Sequence, residues 1–130
     1  PPRRNGADSP NVHALKEAFE VLREDGLEAG IERLLSKAHA DFVFRPYLAG
    51  EAVLHGVHEV RAFFREQHAA GTSLTLRATS FEERGDEVVV KGSIRLVRPG
   101  GGFSESQLSW TYRFRDGLLQ EAFWAPRDTA

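Results

Sequence analysis

An α+β domain is what the sequence predicts, with three helices packed on one face of a mostly antiparallel sheet in the order α-α-β-α-β-β-β-β. Three observations carry that expectation. Apolar residues recur at helical spacing up to His68, broken by one β-prone run ending at Pro46. From Ser73 onward the period changes to two, and turn signals recur at Arg84-Gly85-Asp86, Pro99-Gly100-Gly101-Gly102 and Asp116-Gly117. The 130 residues suffice for one domain with a substantial core and are too few for two ordinary ones.

Taken in order, residues 1–8 combine proline, arginine, asparagine and glycine with almost no apolar side chain and are expected to form a mobile tail, leaving 9–130 as one domain. Ser9 is a natural N-cap with Pro10 at the first helical position. Val12, Leu15, Phe19 and Leu22 then share a face, and Gly26 stops the helix. Leu27, Ile31, Leu34, Leu35 and Ala38 form a second stripe, so a second helix is predicted over 27–38 despite Gly30. Phe42, Val43 and Phe44 form a strand that Pro46 ends. Val57, Val60, Phe63 and Phe64 mark the third helix. Four hairpin-linked strands follow. In the second of them Val88, Val90, Gly92, Ile94 and Leu96 share a face, and in the third Leu108, Trp110, Tyr112 and Phe114 do the same. The opposite face is small, polar and cationic, which suits solvent or a second copy of the sheet, so a homodimer through that face is expected.

Composition narrows the function classes. A formal charge of -2, with both signs mixed along the chain, offers no cationic stripe for phosphates, so nucleic acid is not an expected partner. No apolar run approaches the roughly 20 residues of a membrane span and no signal peptide is evident; a cytoplasmic location is expected. With no cysteine, disulfides, thiolate metal sites and thiol catalysis are out of reach. The chain opens on Pro1 without an initiator methionine, which reads as a processed or excised product and leaves room for an upstream domain.

The element order, with LHGVHEVRAFFRE opening the third helix and RFRDGLLQEAFW closing the sheet, resembles the NTF2-like superfamily, and within it the small SnoaL-like and ketosteroid-isomerase-like proteins. The resemblance covers roughly residues 11–126. It implies an NTF2-like (cystatin-like) cone whose sheet wraps the helices around an apolar funnel, a dimer in many members, and, where there is catalysis, a cofactor-independent isomerase, cyclase, hydrolase or dehydratase. Fold alone does not choose among these. Ketosteroid isomerases of this fold use a tyrosine, an aspartate base and a protonated aspartate, a standard example of pKa tuning. Aligning the motifs places Phe19, Arg45 and Trp110 in those slots, and a one-residue slip to Phe44, Ser109 or Thr111 restores no carboxylate. None of the three can transfer the proton, which argues against steroid-isomerase chemistry.

The expected ligand is a small apolar or anionic metabolite held without cofactor or metal by Phe19, Arg45, Tyr47, Trp110, Tyr112 and Trp124. Arg45 would clamp an anion or polarise an oxygen, with Glu121 the best-placed carboxylate to act as base, since the last strand lines the cavity in proteins this chain resembles. Equally, Arg45 could pair with Glu121 or Glu51, and the aromatics, Phe123 included, could simply fill the interior. In that second case the chain is a noncatalytic dimeric or accessory domain with a plugged cavity. His55, His58 and Glu59 lack the i, i+4 histidine spacing of a zincin helix, and Gly56 reads better as the turn before the third helix. His13 and His39 would be bases only in a cavity that reached them. Ser104, Ser106 and Ser109 have no nucleophile-elbow context, and PGGGF has no phosphate-loop context.

Overall fold

The computed structural model describes residues 9–46 and 53–126, so the expected N-terminal tail and the site candidate Tyr47, like Glu51, lie outside the described residues. Helix α1 (Pro10–Asp25) starts as the sequence predicts, with Ser9 Oγ accepting from the Val12 N–H at 3.2 Å. The same hydroxyl donates to Glu83 at 2.7 Å and ties the start of α1 to the sheet. Gly26, at φ 100°, ends α1 and opens α2 (Leu27–Leu35). This second helix stops three residues short of the expected boundary. Ala38 continues its apolar spacing, but the Leu119 N–H bonds the Lys37 carbonyl at 2.7 Å and takes this backbone into the sheet.

Strand β1 (Ala38–Arg45) buries Phe42, Phe44 and the following Pro46, while Arg45 is exposed. A two-residue strand, β2 (Leu54–His55), pairs antiparallel with Val43 and Phe44 and was not anticipated, because two residues are too few to show a period. Gly56, at φ 82°, then turns the chain into α3 (Gly56–Ala69), and Glu59 accepts from the His55 N–H at 2.8 Å. The HGVHE run is therefore a helix start.

Strands β3 (Ser73–Arg84), β4 (Glu87–Val97), β5 (Phe103–Arg115) and β6 (Leu118–Pro126) form a meander, and β1 joins β6 in parallel, giving the order β2-β1-β6-β5-β4-β3. This is the expected α+β cone with one small strand added. Its curvature has local causes. Between the pairs Ala78↔Gly92 and Ser80↔Lys91, β3 carries an extra residue, Thr79, whose Oγ1 donates to the Lys91 carbonyl at 2.9 Å. The bulge moves the inward set from Leu74, Leu76 and Ala78 to Phe81. Opposite it, a Cβ on Gly92 would lie 2.0 Å from the Arg77 carbonyl oxygen and 2.7 Å from Trp110 Cζ3, so the bend requires glycine there. A second shift, between Arg113 and Phe114, bends β5 and β6.

The inner face packs Val88, Val90, Leu108, Trp110 and Tyr112 against α1 and α3, with Phe19, Val60 and Phe64 from the helices buried on it. Gly30 lets α2 approach α1 closely, since a Cβ there would meet Leu22 Cγ at 2.2 Å. No helix among the described residues is long and apolar enough to cross a membrane.

Candidate functional site

A cavity of about 1060 Å³ opens between the three helices and the first half of β3. Its floor is apolar: Phe19 from α1, Ile31 from α2, Phe64 from α3, and Leu74 and Leu76 from β3, each less than a tenth exposed. This is at the upper end of the size range of small-molecule sites, and larger than the few hundred Å³ expected from the sequence. β3 is an edge strand, so the wall it gives the cavity also carries backbone groups that no neighbouring strand uses.

The rim is charged. Glu20, Arg23 and Asp25 line it from the α1 side, Glu28 and Glu32 from α2, and Arg61, Arg65 and His68 from α3. Across the gap between α2 and α3, the Arg61 guanidinium grips Glu32 with two hydrogen bonds, at 2.6 and 3.0 Å. The Arg61 hydrogen bonds hold the Glu32 carboxyl below its ordinary value; the charges of Arg61 and Arg65 act the same way, against a smaller effect of burial. Glu32 therefore stays ionised as a fixed rim charge at neutral pH. Arg23 lies 3.6 Å from Glu20 and 3.3 Å from Glu24, so the α1 rim is partly self-neutralised.

Of the residues singled out from the sequence, Phe19 lines this cavity, and Arg45, Trp110, Tyr112, Glu121 and Trp124 do not. Arg45 projects from the opposite face of β1. There its Nε reaches Glu121 Oε2 at 3.3 Å, and the other Glu121 oxygen takes Arg113 Nη1 at 2.8 Å. Arg113 also bonds Glu87, so Glu87, Arg113, Glu121 and Arg45 form a charge ladder across β4, β5, β6 and β1 on the outer face. The intramolecular pair weighed against an anion clamp is the arrangement present. Phe123, paired in register with Arg45 and Thr111, is half-buried and also absent from the cavity lining.

Trp110, Tyr112 and Trp124 are instead a packed floor beneath the cavity. Phe19 lies 5.3 Å from Trp110 and 6.3 Å from Tyr112, ring centre to ring centre, and Trp124 meets Phe44 at 5.0 Å and Trp110 at 6.2 Å. The inward residue at the end of β1 is thus Phe44, the one-residue slip considered for the isomerase base, and it holds no carboxylate. The indole N–H groups of Trp110 and Trp124 find no hydrogen-bond acceptor among the described residues, each a cost of about 1–3 kcal/mol. Burial pushes the Tyr112 hydroxyl well above its ordinary value, opposed weakly by the Trp124 N–H, which comes near it without reaching hydrogen-bond geometry.

The remaining sequence candidates sit apart from the cavity. His39 Nδ1 accepts from the Asp41 N–H at 3.1 Å, and His13, His55 and His58 are exposed. No three-residue group of metal-ligating side chains occurs among the described residues. Sequence reasoning passed over Arg61, Arg65 and His68. Their signal was an i, i+4, i+7 polar stripe adjoining the Phe64 edge of the apolar face of α3. That pattern is ordinary for a solvated face until a cavity is found beside it.

A family model for the SnoaL-like domain matches residues 15–122. Among solved structures, an NTF2-like protein of unknown function from Burkholderia pseudomallei K96243 superimposes with a TM-score of 0.77 at 20% identity, covering 92% of both chains. TerC co-crystallized with polyporic acid gives 0.75 at 22% identity, again over 92% of each chain. A Mycobacterium tuberculosis protein in complex with estradiol-17beta-hemisuccinate gives 0.71 at 22% identity, over 92% of this chain and 95% of that one. At these identities the likeness is one of fold. No curated protein matches the chain. The family model spans most of the sequence, and the three helices on a curved sheet have its architecture: the chain belongs to the SnoaL-like domain family.

Proposed function

We propose that this domain binds a small, largely apolar metabolite in the cavity between its helices and β3. The observation that supports the reading is the cavity of about 1060 Å³ with an apolar floor inside a charged rim. Two structural neighbours hold ring-bearing small molecules, polyporic acid in one and estradiol-17beta-hemisuccinate in the other, which agrees with a family use of the fold as a container. The apolar body would rest on Phe19, Phe64, Leu74 and Leu76, with polar substituents at the rim. Burying about 200 Å² of ligand surface there is worth about 5 kcal/mol before the costs of association, which are of similar size, so the net affinity rests on the rim contacts added to it. Any cofactor-free turnover would draw on rim groups such as Glu20, Glu28 and His68, because the Arg45–Glu121 pair lies on the other side of the sheet.

The test is calorimetric titration with N-phenyl-1-naphthylamine, a neutral apolar probe, against the parent and against Ala78→Phe, which puts a ring into the cavity wall. Binding by the parent, lost in a variant whose circular dichroism is unchanged, is the expected result. Equal binding by both would place the ligand elsewhere.

A second reading has its own observation. The deep interior is filled by Trp110, Tyr112 and Trp124, as a noncatalytic dimeric or accessory domain would have it. Sedimentation discriminates: that reading needs a dimer at micromolar concentration and no affinity for the probe.

A further inference from the structure

We infer that the metabolite is an anionic amphiphile, an apolar ring system carrying a carboxylate, and that it lies with its acid group against α3, where Arg65 and His68 receive it. The inference rests on the cavity being the ligand site and adds the ligand's class and its orientation. The rim charges differ from element to element. α3 presents Arg61, Arg65 and His68 on one face, α2 presents Glu28 and Glu32, α1 carries both signs, Lys16 and Arg23 beside Glu20 and Asp25, and β3 adds Arg77. An acid directed at α2 meets like charge, one directed at α1 meets charges of both signs, and one directed at α3 meets opposite charge.

The cations on α3 are not equivalent. Arg61 has its Nε and one Nη bonded to Glu32 and is committed to holding α2 against α3. Arg65, one turn further on, has no hydrogen bond or ion pair among the described residues; its charge reaches Glu32 only at longer range. Its guanidinium keeps the planar fork that fits a carboxylate. His68 follows at i+3 and adds a ring N–H within the same turn. Phe64 and Arg65 both line the cavity, the ring buried in its floor and the guanidinium at its exposed rim, so a ring resting on Phe64 leaves a chain-borne acid able to turn to the α3 side of the rim.

The probe pair is 1-pyrenebutyrate and 1-pyrenebutanol, which share an apolar body and differ in charge, titrated calorimetrically into the parent, Arg65→Gln and the outer-face variant Arg113→Gln. The acid is expected to bind the parent about five- to tenfold more tightly than the alcohol. Arg65→Gln removes most of that advantage without changing the alcohol's affinity, Arg113→Gln leaves both unchanged, and added salt weakens the acid alone. Equal affinities for acid and alcohol in the parent would overturn this inference and leave the cavity reading standing. An acid preference that survives Arg65→Gln, or is lost in Arg113→Gln, would overturn it as well. Failure of both probes to bind would remove the cavity reading, and this inference with it.

Discussion

Replacing Gly92 with alanine tests whether the bend of the sheet is built where the structure puts it. A strand alanine normally gains about 0.5–1 kcal/mol over glycine through lost unfolded-state freedom. Here the new Cβ would sit 2.0 Å from the Arg77 carbonyl oxygen, 2.9 Å from the Arg77 carbonyl carbon and 2.7 Å from Trp110 Cζ3. Trp110 is fully buried between Phe19 and Trp124 and has no room to move aside, and the carbonyl is fixed in the β3–β4 ladder just before the bulge. Overpacking costs about 1–3 kcal/mol when side chains yield, and a backbone clash lies at or above the top of that range. The net loss expected is about 3 kcal/mol, a fall in melting temperature of about 10 °C for a chain of this size. Urea and thermal denaturation measure it. Adding Trp110→Phe removes the contact with Cζ3 and leaves the carbonyl, so the double variant should recover little of the loss. A single variant within about 1 kcal/mol of the parent, or full recovery in the double variant, would refute the assignment of the constraint to the Arg77 carbonyl.

Gly30→Ala is expected to destabilise by about 1–2 kcal/mol in urea melts even though alanine is the better helix former by about 1 kcal/mol, because its Cβ would fall 2.2 Å from Leu22 Cγ and 2.9 Å from Leu22 Cα; a more stable variant would contradict the close approach of α1 and α2. Arg45→Ala should cost less than about 1 kcal/mol and leave 1-pyrenebutyrate binding unchanged, since its half-exposed guanidinium pairs with Glu121 on the outer face; loss of binding would move the site across the sheet. Tyr112 gives a pH dependence. Its folded pKa is raised above the unfolded value of 10.0, so the unfolded phenol ionises first, and its contribution, fully present below that pH, is lost at about 1.4 kcal/mol per pH unit above it. Denaturation midpoints between pH 9 and 11 should therefore fall more steeply in the parent than in Tyr112→Phe, and parallel slopes would show that the phenol is not buried as described.

Most of the fold was legible because its elements announce themselves locally. Ser9-Pro10, Gly26 and the three hairpin turns are short-range signals, and the inner faces of β4 and β5 alternate without interruption. Boundaries set by distant partners were not legible: α2 ends early because Lys37 bonds Leu119, and β2 exists only as a partner for Val43 and Phe44. The site was harder still. Arg45 and Phe44 are neighbours on a strand, so a single step of register decides which faces the interior, and the order of residues alone leaves that step open. Trp110, Tyr112 and Trp124 were placed inside correctly and Phe123 was not, and whether the inner three line a space or fill it depends on how far α1 lies from the sheet. Phe81 did carry an unused signal. It breaks the alternation of Leu74, Leu76 and Ala78, and the bulge that causes the break helps shape the wall of the cavity.

The parallel pairing of β1 with β6 has a consequence for how the molecule comes to exist on a ribosome. β1 has only the two residues of β2 and the last strand as neighbours in the sheet, so it has no lasting place until residues 118–126 have been made. The β3–β6 meander can zip by local hairpins, but joining β1 to β6, from Ala38 with Leu119 to Val43 with Glu121, closes loops of most of the chain, among the costliest contacts in loop entropy and available only once β6 is made. Until then the first half of the protein has its helices and Phe42 and Phe44 uncovered. A nascent chain that stalls or is cut before the final strand is therefore a substrate for chaperones and proteases before its sheet is complete.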